Sequence, residues 1–262
     1  ICDIDGGSVN CVIQYCYSHG NSGAGYLIAQ FPGAALMENN HIRFNLSVND
    51  GRKGGDGGIN VWGDDFTATF NGAFIYNNVV YMSEPATGEN YGIRAWDRYT
   101  NVKVSNNIFY LTGARVQPVK SSRTTAEDIQ LIANAYYKED AIPLYIWGNT
   151  AYSGLAAWAY ASGQEMVDGH LRGMEADPLF RNAGSEPAFG DTARLPSFDD
   201  YRIGNTALLK RGLDLREAAH GGLSMGERDF FGTRISLESS IPIGVEAVKA
   251  FVRRIYFEAE QM

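Results

Sequence analysis

Short runs of alternating apolar and polar residues recur along the first half of the chain. The two clearest copies are Ile75–Tyr81 and Val104–Tyr110, each an apolar alternation, a pair of Asn, and a second apolar run that ends in Tyr. Three looser copies follow the same template. The five anchor positions are 29, 33, 29 and 27 residues apart and are Cys16, Asn45, Asn78, Asn107 and Asn134. Such a period indicates a solenoid or a propeller.

The residue types inside the repeat select among these folds. The runs are rich in Val, Ile, Phe and Tyr and are bounded by Gly and Asn, which predicts strands and turns. Helical repeats would need apolar residues at helical spacing. A leucine-rich repeat would show more leucines at fixed positions, and a propeller blade would need about four strands in about 40 residues. We therefore predict an all-β fold, a parallel β-helix.

The repeated Asn has a physical purpose in such a fold. Its side-chain amide both donates and accepts hydrogen bonds, so copies stacked in successive coils can bond to one another and to the backbone of the turn. A buried amide without partners would cost a few kcal/mol. The alternative is that Asn only marks surface turns. The regular spacing after apolar alternation favours a buried ladder.

A second strand in each coil places a set of side chains on the outside. The segments are Gly25–Phe31, Gly58–Asp64 and Gly92–Arg98, with a shorter copy at Gly113–Gln117. Alternate residues of a strand point to opposite faces, and neighbouring strands lie about 4.8 Å apart. The predicted outward columns are Leu27, Asn60, Arg94 and Arg115; Ala29, Trp62 and Trp96; and Phe31, Asp64 and Arg98.

We divide the chain into coils over residues 1–155, an irregular C-terminal cap of the same domain over 156–243, and a terminal α-helix within 244–262. The cap is expected to hide the strand edges of the last coil. The chain opens inside a coil pattern, so we expect further coils before it. The helix is predicted from apolar residues spaced 3, 4, 3 and 4 apart, at Val245, Val248, Val252, Ile255 and Ala259.

The composition limits the classes of partner that the protein is expected to bind. The net charge is −8 and the pI is about 5.0, which argues against nucleic acid as a partner. There is no apolar run near 18 residues, so no membrane span is predicted. Cys2, Cys11 and Cys16 cluster near one end. We interpret them as packed free thiols, with Cys11 pointing inward, rather than as a disulfide or metal site.

Several motifs give a family resemblance. Ala176–Phe180 (Ala-Asp-Pro-Leu-Phe), Asp229–Gly232 (Asp-Phe-Phe-Gly) and Pro242–Glu246 (Pro-Ile-Gly-Val-Glu), together with the Asn-Asn coils, resemble right-handed parallel β-helix proteins of the pectin-lyase-like superfamily, above all secreted bacterial members. The likeness spans about Asp3–Glu246. It departs at Asn205–Leu209, where such proteins commonly carry Ser-Pro-Ala-Ile, and in the tail after Glu246.

The resemblance implies a right-handed coil, a secreted, periplasmic or cell-surface location, and possible further domains in a longer chain. Members of the superfamily are mostly enzymes that act on polysaccharides lying along an outer sheet. The motifs of the polygalacturonase-like hydrolases and pectate-lyase-like enzymes are absent, apart from a weak echo in Asp64-Asp65. No catalytic residue is carried over by motif.

The outward columns suggest a polysaccharide or oligosaccharide site. Trp62 and Trp96 side by side would form a rigid apolar surface with polar edges that suits sugar rings. The Arg side chains can bind carboxylate or sulfate groups in a bidentate manner, or they can form an exposed charge ladder with Asp64 and Asp97. The predicted substrate-binding residues are Asn60, Trp62, Trp96, Arg98, Arg115 and Lys53.

Two cleavage reactions are compatible with the residues near the tryptophans. Glycoside hydrolysis needs two carboxyl groups across the bond. The acids within reach are Asp56, Glu84, Glu89 and the favoured Asp64, Asp65 and Asp97. Elimination from a uronate needs a base and a cation near the substrate carboxylate, for which Lys53, His19 and the favoured Arg94 are candidates. No cofactor is required, although Asp50, Asp56 and Asp64 could hold Ca²⁺. We favour a hydrolase slightly over a lyase. The alternatives are a non-catalytic glycan-binding domain and a structural stalk.

Overall fold

The computed structural model describes residues 2–63, 69–139, 141–184, 198–236 and 241–247 of the 262-residue chain. Within these ranges the chain forms a β-solenoid of about four turns. Each turn contributes one strand to each of three parallel sheets that run along the solenoid. The prediction of an all-β parallel β-helix is therefore confirmed.

The three sheets are built from consecutive coils, with strands numbered in chain order. Sheet 1 has the spatial order β1 (Cys2–Ile4), β4 (Tyr26–Ala29), β7 (Gly57–Trp62), β10 (Asn90–Trp96), β13 (Val116–Ser121), β16 (Leu144–Trp147) and β17 (Thr150–Ser153). Sheet 2 has the order β2 (Val12–Gln14), β5 (Met37–Arg43), β8 (Phe70–Tyr76), β11 (Thr100–Ser105) and β14 (Ile129–Ile132). Sheet 3 has the order β3 (Tyr17–His19), β6 (Leu46–Val48), β9 (Val79–Met82), β12 (Ile108–Leu111), β15 (Ala135–Lys138) and β20 (Met174–Glu175).

The last coil is closed by elements that leave the solenoid pattern. Strands β16 and β17 form an antiparallel hairpin, and helix α1 (Leu155–Ser162) follows it. The indole of Trp158 on α1 is fully buried and stacks on Tyr145 of β16, with ring centroids 4.6 Å apart. A small antiparallel pair, β18 (Met166–Val167) and β19 (His170–Leu171), comes next. The end of the stacked core is thereby covered by apolar side chains.

The Asn ladder is present as predicted. Asn45, Asn78, Asn107 and Asn134 are almost completely buried. Each Oδ1 accepts a hydrogen bond from the backbone N–H of the anchor residue in the preceding coil, at 2.9–3.0 Å. Where that residue is itself Asn, its Nδ2 donates to the same oxygen at 2.9–3.1 Å. The ladder thus satisfies buried polar groups in every coil that it crosses.

Each ladder residue follows a residue with left-handed backbone. The φ angles are 59° at Tyr15, 51° at Phe44, 55° at Asn77, 55° at Asn106 and 58° at Ala133. Asn tolerates this region better than other non-glycine residues, which explains the doubled Asn in two coils. The first Asn of each pair therefore shapes the turn, and the second builds the ladder.

The ladder ends at Glu165, which the sequence analysis did not single out. Its carboxylate accepts hydrogen bonds from Asn134 Nδ2 at 2.7 Å, Asn134 N at 3.1 Å and the Tyr136 hydroxyl at 2.6 Å. The residue is fully buried. Burial disfavours the charged form and raises the pKa of Glu165 to about 7, although its hydrogen bonds act in the opposite direction.

The described C-terminal segments pack along the sides of the solenoid. Asn77 Nδ2 donates to the carbonyl oxygens of Pro242 and Gly244, and Asn106 exchanges two hydrogen bonds with the backbone of Leu213. Apolar residues of these segments cover the outer faces of sheets 2 and 3. Residues 144–175 cover the coil end. On the outer face of sheet 1, Trp62, Arg94 and Trp96 are partly exposed.

Two local predictions need correction, and a third concerns residues outside the described ranges. The strand predicted at Gly113–Gln117 is displaced, because β13 begins at Val116 and Gly113 lies in a turn with φ of 94°. Cys11 is exposed rather than inward, although all three cysteines are free thiols. Most of the predicted terminal helix, from residue 248 onward, lies outside the described residues.

We predict that Asn107→Ala lowers the free energy of unfolding by at least about 3 kcal/mol. The substitution removes the bonding partners of Asn78 N, Asn78 Nδ2 and the Ile75 carbonyl, and a buried polar group left alone costs about 1–3 kcal/mol. Urea unfolding measures the loss. Asn71→Ala, at the one exposed position of β8, is the matched control and should cost less than about 0.5 kcal/mol. Equal effects of the two variants would refute the ladder's role.

We also predict that Glu165 makes the protein less stable as the pH rises. The folded pKa of about 7 lies above the ordinary value of 4.5, so stability is greatest below about pH 4.5 and is lost as the pH rises towards and through 7. The loss is on the order of 3 kcal/mol. Glu165→Gln, whose amide oxygen can still accept from Asn134 Nδ2 and the Tyr136 hydroxyl, should remove this part of the slope in urea unfolding. Exposed Glu127→Gln should leave it intact.

Candidate functional site

The candidate site lies on the outer face of sheet 1. Trp62 of β7 and Trp96 of β10 are direct register partners, and both side chains are partly exposed. The prediction that the two tryptophans are neighbours on adjacent strands is confirmed. We call this pair the tryptophan platform. The inward neighbours Val61 and Ala95 are buried in the core, so the strands supply a rigid base.

Two neighbouring residues hold the Trp62 indole in place. Its Nε1–H donates to Asp97 Oδ2 at 2.6 Å. The ring of Phe31 meets it nearly edge-on, with centroids 5.0 Å apart and an interplanar angle of 74°. Asp97 has a left-handed backbone with φ of 64°, which turns its side chain back toward the platform. The indole is therefore oriented in advance of any ligand.

Cationic side chains line the platform. The guanidinium of Arg94 lies over the Trp96 ring, 4.4 Å from its centroid, and also donates to the carbonyl of Gly55. Lys120 is the register partner of Arg94 in β13, and its Nζ donates to the Tyr91 hydroxyl at 3.1 Å. Burial and Glu89 raise the pKa of Tyr91, so its hydroxyl stays protonated and donates to Glu89. Cation–π contact of this kind restrains both partners.

The described acids near the platform are held by local hydrogen bonds. Asp97 binds Trp62, and Asp56 accepts from Asn60 Nδ2 at 2.9 Å. The Glu84 carboxylate accepts from the backbone and side chain of Arg115, which holds the pKa of Glu84 below its ordinary value. The predicted catalytic residues Asp64 and Asp65 lie outside the described residues.

The other predicted binding residues differ from one another in exposure and in hydrogen bonding. Asn60 is 4% exposed, and its Oδ1 accepts from the backbone of Gly57, so it supports the turn before β7. Lys53 and Arg98 are exposed. The prediction that Arg115 extends the Arg94 column was wrong. Lys120 occupies that position, because Arg115 lies in the turn before β13, whose first residue, Val116, pairs with Asn90.

The predicted calcium ligands have other partners in the parts of the chain that are described. Asp50 is buried and accepts hydrogen bonds from Ser47 Oγ and from Asn21 N and Nδ2. Burial raises the pKa of Asp50 despite these bonds. Among the described residues, no group of three or more His, Cys, Asp or Glu is placed to hold a metal ion.

Sheet 1 also carries a cavity that the sequence analysis missed. It has a volume of about 540 Å³ and lies between the β16–β17 hairpin, the turn after β13 and the C-terminal end of α1. Its lining includes Ser122, Thr124, Asn149 and Thr150. No periodic signal marks these residues, because they belong to the turn after β13 and to the β16–β17 hairpin, which leaves the coil repeat.

Searches against models of protein families, curated proteins and solved structures found no match to this chain. Within the described ranges, no helix combines the length and the apolar character that crossing a membrane requires. The function is therefore inferred from the geometry of the site: an oriented, partly exposed aromatic pair beside fixed cations and exposed hydroxyl groups.

We predict an energetic coupling between Trp62 and Asp97. Trp62→Phe removes the indole N–H, and Asp97→Asn removes the charge of the acceptor while retaining a residue suited to positive φ. A double-mutant cycle on the free energy of unfolding should give a coupling of about 1 kcal/mol, typical of a hydrogen bond to a charged group that is partly exposed. The same cycle with Trp96→Phe in place of Trp62→Phe is the control. Equal couplings in the two cycles would contradict the assignment.

Proposed function

We propose that the protein binds a polysaccharide across the outer face of sheet 1, on the tryptophan platform. The observation that carries this proposal is the register pairing of Trp62 and Trp96, with the Trp62 indole oriented by Asp97 and Phe31. Aromatic side chains have an apolar body, and Trp adds a polar handle. Such a surface complements the apolar face and the hydroxyl rim of a sugar ring.

The direction of the platform favours a chain over a single sugar. Neighbouring strands are about 4.8 Å apart, so Trp62 and Trp96 repeat along the solenoid axis and cross the strands. A glycan lying in that direction would meet one aromatic ring after another. Arg94 and Lys120 beside the platform are suited to acidic groups of such a glycan.

We further infer a distant relationship to the pectin-lyase-like superfamily, with a location outside the cytoplasm. The support is the stacked parallel coil with its Asn ladder and the closing motifs already described. A polysaccharide ligand agrees with that relationship. Cleavage of the bound chain, by hydrolysis or by elimination, stays a prediction. Binding is the function that the described contacts support best.

The expected result is that Trp62→Ala and Trp96→Ala each weaken polysaccharide binding at least tenfold and that the double variant abolishes it. Loss of a well-packed aromatic contact costs about 1–3 kcal/mol, and 1.4 kcal/mol is tenfold in affinity. A glycan array carrying neutral and acidic polysaccharides would identify ligands, and calorimetric titration would give the affinities. Unchanged affinity in both single variants would reject the platform.

Val12→Ala is the control, because Val12 is 45% exposed on β2 of sheet 2, whereas the platform lies on sheet 1. It should bind as the wild type does. The same samples should be assayed for new reducing ends and for the ultraviolet absorbance of unsaturated products. Binding without either signal would assign a non-catalytic glycan-binding function, and either signal would identify the reaction class.

A further inference from the structure

Two residues continue the row of the tryptophan platform beyond β10. Ala95 pairs with Ser121, and the backbone N–H of Ser122 donates to the Ala95 carbonyl at 3.0 Å. Ser121 in turn pairs with Trp147, and the backbone N–H of Gly148 donates to Ser121 at 2.8 Å. Ser122 and Gly148 are therefore the next members of the row that begins with Trp62 and Trp96.

That row leads directly into the cavity. Ser122 and Gly148 both line the 540 Å³ space between the hairpin, the turn after β13 and α1. The row from Trp62 to Gly148 covers three strand spacings, or about 14 Å. A glycan that crosses the strands on the platform would therefore reach the cavity without changing direction.

The lining of the cavity indicates the chemistry that it accepts. The described lining residues carry hydroxyl and amide groups and no charged side chain, and Ser122, Thr124, Asn149 and Thr150 are exposed to solvent. Trp147 contributes an indole that is 5% exposed and packs edge-on against Trp158 at 5.5 Å. The nearest charged residue in the turn, Arg123, is paired with Asp128 at 2.8 Å.

We propose that this cavity is a second subsite, which takes an uncharged sugar unit of the same chain that lies on the tryptophan platform. The inference rests on the proposed function. Hydroxyl and amide groups both donate and accept hydrogen bonds and so match the hydroxyl groups of a neutral sugar. A carboxylate placed there without a cationic partner would lose hydration that the lining does not replace. The ligand is thus a chain whose cavity end is neutral.

The test compares chain lengths. Xylo-, cello- and galacto-oligosaccharides and acidic oligogalacturonates, each as the disaccharide and the hexasaccharide, are titrated into the wild type. The neutral series that binds should gain about tenfold or more in affinity from disaccharide to hexasaccharide. The gain should be smaller for the oligogalacturonates. An equal or larger gain in the acidic series would overturn the assignment of a neutral subsite.

Variants in the cavity test whether the affinity gained with chain length comes from contacts there. Ser122→Tyr fills the cavity, and Asn149→Ala removes its amide. Both should weaken hexasaccharide binding about five- to tenfold, as expected for one or two lost hydrogen bonds, and leave disaccharide binding as it is. Ser153→Tyr is the matched control, because Ser153 is exposed at the other end of the same hairpin. Urea midpoints equal to that of the wild type would show that the variants fold.

The outcomes separate the two proposals. If Trp62→Ala abolishes binding but both cavity variants keep the full length dependence, the cavity is not a subsite and the proposed function stands. If no glycan binds, or if Trp62→Ala and Trp96→Ala leave binding unchanged, both proposals fall. Loss of the length dependence in Ser122→Tyr, with Ser153→Tyr unaffected, supports the subsite.

Discussion

The hydrogen bonds between stacked Asn side chains are the interaction on which the fold depends. A solenoid coil encloses the backbone of its own turns, so polar groups at the turn between sheets 2 and 3 would be buried without partners. Each ladder oxygen accepts the N–H of the anchor residue in the preceding coil, and each ladder amide from Asn45 to Asn134 donates to the backbone of an earlier coil. Because both atoms of the amide are used, the coils are locked in register, and every column on the outer faces follows from that register.

The same turns also hold the described C-terminal segments against the solenoid. The left-handed residue before each ladder position projects outward, and in two coils it is an Asn that binds the C-terminal segments. Those segments then cover sheets 2 and 3 with apolar contacts. In the described part of the chain these contacts lie on sheets 2 and 3, whereas Trp62 and Trp96 of sheet 1 are partly exposed.

Much of the fold, and the pairing of the two tryptophans in the site, can be predicted from the repeat. The ladder, the inward pairs such as Ile59 and Val61, and the adjacency of Trp62 and Trp96 depend only on alternation along a strand and on one coil period. The bond from Trp62 to Asp97, the position of Lys120 beside Arg94, and the cavity at Ser122 depend on turns. Turn lengths differ between coils, and matching Gly113 to Gly92 therefore misplaced Arg115.

The sequence by itself determined the solenoid and the inward or outward direction of most strand residues, because both are set by local periodicity that repeats in every coil. It also determined that two indoles 34 residues apart share one wall. Only the tertiary structure decided which sheets the described C-terminal segments cover, where the ladder ends at Glu165, and what surrounds the tryptophan platform. Those features arise from contacts between segments far apart in the chain, whose meeting depends on the whole backbone path and on no repeating pattern.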